Sequence, residues 1–164
     1  GYQLGTLYRS QAVISNDEVP PVPGLVEYVE TTVPGVRAPH AWLQDAKGRR
    51  SSTVDLWGRR FVLIGHDLQA HWMAAAENAA RAMKIELPVF NVAKNGTYRP
   101  LDAKFEMLYE TRHGDVILVR PDGFVAAKLR AADPESATGQ LQEALQSILG
   151  VTVRSASPMA EALA

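Results

Sequence analysis

A tight turn between two apolar segments, within residues 114–129, is the feature that most constrains the fold. Residues 115–120 form an apolar run of strand length that is rich in Val and Ile, and Gly114 precedes it. Pro121-Asp122-Gly123 then predicts a tight turn, because Pro presets its own φ, Asp bonds to the backbone ahead of it and Gly accepts a positive φ. A second strand is predicted over residues 124–129. An isolated hairpin is marginally stable in water, so other strands or helices must cover this one.

The composition excludes several classes of function. The chain has 164 residues, a net charge of −1 and no cysteine. This length suits one domain with its own core. The lack of cysteine excludes disulfides, thiol redox chemistry and thiolate metal sites in this chain. No basic face and no long apolar run stands out, so we expect no nucleic-acid partner, no membrane segment and a cytoplasmic location.

A strand, a helix and a second strand are predicted over residues 61–92. Residues 61–65 are almost wholly apolar, as expected of a short strand buried on both faces. Residues 87–92 form the second strand, and Pro88 near its start suits an edge or a first position. Between these strands, small and apolar residues recur at helical spacing, namely Trp72, Ala76, Ala79, Ala80 and Met83.

Two further helices are predicted, one on each side of the hairpin. A polar loop over residues 94–101 leads to Asp102, which predicts the N-cap of a short helix that Gly114 would end. Asp133-Pro134-Glu135 is typical of a second helix N-terminus. Gly150 ends this helix, whose apolar face is formed by Leu141, Ala144, Leu145, Ile148 and Leu149.

Residues 61–149 are therefore predicted in the order β-α-β-α-β-β-α. A strand–helix–strand unit implies a parallel, right-handed crossover, whereas the Pro-Asp-Gly turn requires an antiparallel pair. The sheet must then be mixed, with helices on its faces. That order is the thioredoxin fold. The predicted class is α/β, a thioredoxin-like mixed sheet flanked by helices, with an extra N-terminal β segment and without redox cysteines.

The extra β segment is predicted in the N-terminal third. Residues 36–43 alternate loosely and end in a short strand, and residues 51–56 read as a second short strand after a turn at 45–50. Prolines and acids over residues 15–24 predict a linker. Because the chain begins with Gly1 inside a strand-like pattern, we expect a piece of a longer protein. The predicted parts are an inter-domain join and linker (1–24), a thioredoxin-like domain (25–150) and a flexible tail (151–164).

Residues 66–72 stand where a thioredoxin-like oxidoreductase carries Cys-x-x-Cys at a helix N-terminus. No thiol is present there, so thiol–disulfide catalysis is excluded. His66, Asp67 and His71 offer a metal or acid/base cluster, but no third ligand is visible near Asp67 and His71. The commoner alternative is that Asp67 caps the helix and that the histidines are exposed or satisfied locally.

A proline-fixed segment is the candidate for docking against another surface. Its residues are Arg37, Pro39, His40 and Trp42. An equally open interpretation is a strand that covers the core, with Trp42 buried and His40 bonded locally.

Charged residues at strand ends are candidates for structural ion pairs rather than for catalysis. They are Asp55, Arg120 and Asp122. No Gly-x-Gly-x-x-Gly and no Gly-x-x-x-x-Gly-Lys occurs, so no phosphate-binding loop is predicted in this chain.

Four motifs, taken together, resemble a known family. They are G-Y-x-L-G-x-x-Y-x-S-x-A-V at residues 1–13, P-G-x-R-A-P-H-A-W-L at 34–43, S-T-V-D-L-W-G at 52–58 and V-R-P-D-G-F-V-A at 119–126. In this order they resemble the C-terminal region of FAD-dependent aromatic-ring monooxygenases, which include phenol, chlorophenol and polyketide hydroxylases. The C-terminal domain of that family is a thioredoxin-like fold without redox cysteines.

The resemblance implies that this domain and the preceding domains of the parent enzyme have different functions. FAD binding, NAD(P)H use and ring hydroxylation belong to the preceding FAD and substrate domains of the parent enzyme. This chain would hold no cofactor and no catalytic or metal-binding residue of its own. Its partners would be those preceding domains, with a homo-oligomer as a further possibility. Its role would be structural, in subunit contact or in covering the active site.

A second hypothesis is a self-standing module that binds a small ligand or a metal in a cleft near residues 66–71. A third, a peroxiredoxin-like enzyme that has lost its cysteine, lacks a replacement nucleophile.

Overall fold

One mixed sheet of seven strands carries the fold, and three α-helices pack on it. The structure is a computed structural model that describes residues 13–14, 30–109 and 114–151. The strands are β1 (Trp42–Asp45), β2 (Arg50–Ser52), β3 (Val62–His66), β4 (Val89–Val92), β5 (Tyr98–Pro100), β6 (Val116–Val119) and β7 (Val125–Leu129). The α-helices are α1 (Ala70–Met83), α2 (Lys104–Leu108) and α3 (Pro134–Leu149), and a short 3-10 helix covers Thr53–Leu56.

The strand order is β2-β1-β5-β4-β3-β6-β7. Strands β3 and β4 are parallel, with Leu63 opposite Val89, and α1 makes the crossover between them. Strand β6 is antiparallel to both β3 and β7. These four strands with α1, α2 and α3 reproduce the predicted β-α-β-α-β-β-α order, so the thioredoxin-like, mixed α/β fold is confirmed. The β1–β2 hairpin is the additional N-terminal β element.

The sheet has a separate apolar core on each face. Leu63 and Leu118 point to the face on which α1 and α3 pack. Their neighbours along the strands, Ile64 and Ile117, point to the opposite face. That second core is closed by α2, the 3-10 helix and residues 36–41. This alternation follows from the period of two along a strand, and it explains why the predicted core strands are apolar at every position.

The Pro-Asp-Gly turn joins β6 to β7 as predicted. The Gly123 N–H donates to the Arg120 carbonyl oxygen (2.9 Å), and Gly123 has a φ of 82°, which favours glycine. The outer edge of β7 is partly covered. The Gly35 N–H donates to the Val125 carbonyl oxygen (2.9 Å), and the Ile14 N–H donates to that of Ala126 (2.8 Å). The first residues of β7 are therefore bound to the N-terminal part of the chain.

Helix ends follow the predicted capping in α3 but not in α1. The Asp133 carboxylate accepts from the Ser136 N–H (2.9 Å), Pro134 opens the helix and Gly150 ends it with a φ of 64°. The prediction that Asp67 caps α1 is wrong. Gln69 occupies the N-cap position without a side-chain bond, and Asp67 has a left-handed φ of 49° in the preceding loop.

Two other predictions are corrected. Residues 51–56 do not form one strand, because β2 ends at Ser52 and the 3-10 helix follows. The Ser52 hydroxyl accepts from the Val54 N–H, and the Asp55 carboxylate accepts from the Ser52 N–H, so a capping box starts a helix there. The predicted loop over 94–101 contains strand β5, which is held between β1 and β4.

The helix over residues 104–108 begins at Lys104 and not directly after Asp102. Ala103 takes the N-cap position, while the Asp102 carboxylate accepts from the Lys104 N–H (2.9 Å).

The predicted join (1–24) and tail (151–164) lie outside the described residues, apart from 13–14 and 151. Over the described ranges, no helix combines the length and the apolar character needed to cross a bilayer.

Candidate functional site

A cleft lies at the carboxyl ends of the parallel strands β3 and β4, which is where open α/β sheets place ligand sites. It has a volume of about 380 Å³. Its wall contains one histidine, two carboxylates and two cationic side chains, as well as amide and small residues. The lining residues are His66, Asp67, Asn91, Ala93, Lys94, Asn95, Arg99, Pro100 and Glu106.

The loop between β3 and α1 shapes one side of this cleft. The Asp67 N–H donates to the Val92 carbonyl oxygen (3.3 Å), and the Leu68 N–H donates to Asn91 Oδ1 (2.9 Å). His66 Nε2 lies 3.5 Å from Glu106 Oε1 on α2. Two backbone donors of this loop, the N–H groups of Asp67 and Leu68, are therefore already used within the protein.

His71 does not join His66 and Asp67 in the cleft. It lies on the first turn of α1 with its ring centroid 5.5 Å from that of Trp72, and its Nε2 is buried without a hydrogen-bond partner. Among the described residues, no group of three or more His, Cys, Asp or Glu side chains is arranged to hold a metal ion. The three residues considered as a cluster from the sequence are therefore divided between two environments.

The candidate docking segment divides into an inward and an outward part. Pro39 is buried, and its carbonyl oxygen accepts from the Thr53 hydroxyl (2.9 Å) and from the Tyr109 hydroxyl (2.6 Å). The Arg37 guanidinium lies 4.9 Å from the centre of the Phe124 ring, and its Nε is buried. Both residues attach the segment to the core.

His40 and Trp42 form the outward part. Their ring centroids are 4.7 Å apart in an edge-to-face arrangement. The Arg50 guanidinium stacks on the Trp42 ring, 3.6 Å from its centre. Trp42 is 36% exposed, so the interpretation with Trp42 buried is wrong. Arg50 was not predicted; it lies opposite Gln44 on β2, and its side chain reaches diagonally across the strand pair to Trp42.

The candidate ion-pair residues have different partners. Arg120 Nη2 lies 2.6 Å from Asp122 Oδ2 across the Pro-Asp-Gly turn. Asp55 bonds to the backbone of Ser52 in the capping box. A further ion pair, between the buried Asp115 and the largely exposed Arg130, was not predicted, because Asp115 reads in the sequence only as the polar start of a strand.

Comparison with known proteins gives a family for this fold. The family described as "Aromatic-ring hydroxylase, C-terminal" matches residues 31–152. The chain belongs to this family. The resemblance expected from the motifs is thus confirmed, and the matched range contains three of the four motifs, at 34–43, 52–58 and 119–126.

The relatives of this family member are much longer proteins. Tetracenomycin A2 monooxygenase-dioxygenase of Streptomyces glaucescens is 35% identical over 90% of this chain and 26% of the relative. Phenol 2-monooxygenase of Pseudomonas sp. (strain EST1001) is 32% identical over 84% of this chain and 23% of the relative. The chain spans about a quarter of the length of the relatives it matches.

A solved structure of the flavin-dependent monooxygenase PieE, in complex with FAD and substrate, shares this fold. The TM-score is 0.78 at 34% identity, over 90% of this chain and 26% of PieE. The chain is therefore similar in sequence and structure to one part of a flavoprotein monooxygenase.

Proposed function

We propose that this chain is the non-catalytic C-terminal domain of a flavin-dependent aromatic hydroxylase. The parent enzyme would hydroxylate a phenolic or polyketide ring with FAD, NAD(P)H and O₂ bound in its preceding domains. The observation that carries this proposal is family membership over residues 31–152 combined with a thiol-free loop at the redox position of the fold. The domain serves stability, subunit contact or cover of the active-site region.

The geometry around the β3–α1 loop supports a role in which this domain does not bind flavin itself. A pyrophosphate group is normally bound by free backbone N–H groups in a Gly-rich turn before a helix. Here the N–H groups of Asp67 and Leu68 already donate within the protein. The cleft wall also mixes the carboxylates of Asp67 and Glu106 with the cations of Lys94 and Arg99, so it is not a uniformly positive phosphate site. These residues do not fit FAD, so no step of a flavin reaction is assigned to them.

The segment with Arg37, Pro39, His40 and Trp42 supports a docking role. Its first two residues are held by the core, and its last two present an aromatic pair at the surface. A rigid segment loses little conformational entropy when it meets a partner. We therefore assign to His40 and Trp42 the contact with the preceding domains, and to Arg37 and Pro39 the support of that contact.

The test compares this chain with a complete hydroxylase polypeptide that contains it. We expect the 164-residue chain to be purified without flavin absorbance and without NAD(P)H-dependent hydroxylation of phenols. The complete polypeptide, purified in parallel, provides the positive control. Bound flavin together with ring hydroxylation by the chain alone would overturn the proposal.

The second candidate is a self-standing module, and the 380 Å³ cleft is the observation that favours it. Elemental analysis of untagged protein and calorimetric titration with small carboxylates test it. Stoichiometric metal, or saturable binding abolished by Arg99→Ala, would favour the module over the accessory domain.

A further inference from the structure

Three strands of the sheet present one face that no helix covers within the described residues. Trp42 and Gln44 alternate with Leu43 along β1, and Leu43 points into the second core. Gln44 lies opposite Arg50 on β2 and opposite Arg99 on β5. Opposed residues share a face of the sheet. Strands β2, β1 and β5 therefore carry Arg50, Gln44 and Arg99 in one row on the face away from Leu43.

A second row lies beside the first. Leu101 follows β5, and its N–H donates to the Trp42 carbonyl oxygen (3.0 Å), which places Leu101 opposite Trp42. We call the five residues Trp42, Gln44, Arg50, Arg99 and Leu101 the open face. Helices α1 and α3 pack on this side of the sheet, but their core contains residues of β3, β6 and β7 and none of β1, β2 or β5. Trp42 is 36% exposed and Leu101 is 42% exposed.

The open face has an apolar centre beside fixed positive charges. The Arg50 guanidinium lies on the Trp42 ring, and the Arg99 guanidinium donates to Gln44 Oε1. Gln44 in turn donates to the Gly48 carbonyl oxygen (2.9 Å), so it is oriented from both ends. Trp and Arg, held in place beforehand, are the residue types that dominate binding energy at protein interfaces.

The positive charge of the open face is not neutralised within the described part of the chain. Neither Arg50 nor Arg99 forms an ion pair there. The nearby carboxylate of Asp45 is 2.7 Å from Arg49 and is already paired. Lys94 lines a hollow of about 250 Å³ together with Gln44, Arg99 and Asp45, the carboxylate that Arg49 already pairs. The whole chain has a net charge of −1, so this concentration of positive charge is local.

We propose that the open face docks on an acidic surface of the preceding domains in the same hydroxylase polypeptide. This inference rests on the proposed function and names the surface that the domain uses. Domain interfaces within one chain are small and relatively polar, because covalent linkage supplies a high effective concentration. An exposed Trp–Leu pair with two guanidinium groups matches that kind of interface. The relatives are about four times as long as this chain, so such domains precede the matching region in them.

A second copy of this chain fits the open face less well. A two-fold contact would place the same surface on both sides. Two surfaces that each carry Arg50 and Arg99 would then lie against each other, and like charges across an interface are unfavourable. Stable homodimer interfaces are also more apolar than this surface.

Hydroxyl-radical footprinting of the complete hydroxylase polypeptide tests the proposal. The modification of Trp42 and Leu101 is measured against that of Met107, which is 73% exposed on α2. Arg99→Glu is the test variant, because Arg99 bonds to Gln44 and does not stack on Trp42. Arg99→Lys keeps the charge, and Arg59→Glu makes the same charge reversal at another exposed position. Melting temperatures show that each variant is folded.

We expect Arg99→Glu to raise the modification of Trp42 several-fold, while Arg99→Lys and Arg59→Glu leave it unchanged. Raising NaCl from about 0.1 M to about 1 M should also raise the modification of Trp42. The Debye length then shortens from roughly 10 Å to roughly 3 Å, which weakens the attraction between charged surfaces. Equal modification of Trp42 in all variants and at both salt concentrations would overturn the inference. So would protection that disappears on dilution, since a second copy would then cover the face. Neither result bears on whether the chain alone hydroxylates a substrate, which tests the proposed function separately.

Discussion

Arg130 binds Asp115 through two parallel hydrogen bonds, from Nε to Oδ1 (2.6 Å) and from Nη2 to Oδ2 (2.7 Å). Asp115 is 1% exposed and directly precedes β6, while Arg130 directly follows β7. The pair therefore closes the β6–β7 hairpin at the end opposite the Pro-Asp-Gly turn. A buried carboxylate is tolerated only when it is paired and hydrogen-bonded, and the bidentate arginine provides both conditions.

Removing the arginine should destabilise the fold more than removing both charges. We expect Arg130→Ala to lower the free energy of unfolding by about 2 kcal/mol, less than for a pair buried on both sides because Arg130 is largely exposed. Asp115→Asn combined with Arg130→Ala should recover part of the loss. Urea unfolding of the four proteins in a double-mutant cycle measures the coupling. Additive effects of the two substitutions would show that the pair contributes nothing.

The indole of Trp72 connects α1 to the start of β6. Trp72 is fully buried, and its Nε1–H donates to the Gly114 carbonyl oxygen (2.6 Å). Trp72→Phe should lower the free energy of unfolding by about 2 kcal/mol, because a buried carbonyl loses its donor. The neighbouring Met73, which is 45% exposed, provides the control. Met73→Ala should change the free energy of unfolding by less than about 0.5 kcal/mol. Chemical denaturation followed by circular dichroism measures both, and equal losses would contradict the role of the Trp72 bond.

The core of the fold was predictable because its turns, helix caps and apolar spacing are encoded by residues close together in the sequence. The hairpin turn follows from Pro121-Asp122-Gly123, and α3 follows from Asp133-Pro134 and its apolar spacing. Strand β5 was not predictable in the same way. Residues 98–100 are Tyr, Arg and Pro, a segment too short to show an alternating apolar face, and their strand conformation depends on pairing with β1 and β4.

The open face could not be derived from the sequence for the same reason. Its register requires β5 to lie next to β1, although the two are more than fifty residues apart in the chain. The cap of α1 was mispredicted because Asp67 is a good N-cap residue in general. Here its backbone is held in a left-handed turn by the bond from its N–H to Val92, so the helix begins three residues later.

The Thr53 hydroxyl supports the docking segment at two points. It donates to the Pro39 carbonyl oxygen (2.9 Å) and accepts from the Ala41 N–H (3.0 Å). Thr53→Val should therefore lower the free energy of unfolding by about 2 to 3 kcal/mol, since a buried N–H loses its acceptor. Tyr109→Phe should lower it by about 1 kcal/mol, because Thr53 still donates to Pro39. Thermal unfolding of both variants checks this order, and a larger loss for Tyr109→Phe would contradict it.

Backbone N–H groups of the β1–β2 turn stabilise the ionised form of the Asp45 side chain. The Arg49 N–H is the largest cause that lowers the pKa of Asp45, and the Arg49 side chain and the Lys47 N–H lower it further. Because the folded pKa is depressed, this carboxylate stabilises the turn above its ordinary pKa, and the contribution is lost as pH falls through the folded value. NMR titration of the carboxyl carbon should show that Arg49→Ala raises the pKa only in part. A return to the ordinary range for aspartate would show that the side chain is the main cause.

Replacing glycine by alanine should change the free energy of unfolding in opposite directions at Gly96 and at Gly139. At Gly96, a Cβ would lie 2.3 Å from the Asn91 carbonyl oxygen and 2.8 Å from the Ala93 nitrogen, so the backbone between β4 and β5 would have to move. We expect Gly96→Ala to lower the free energy of unfolding by about 2 to 3 kcal/mol. At Gly139 in α3, a Cβ meets nothing within 4 Å, so Gly139→Ala should raise the free energy by about 0.5 to 1 kcal/mol through helix propensity. Urea titration of both variants provides the measurement, and a neutral Gly96→Ala would mean that the β4–β5 loop is not confined by Asn91.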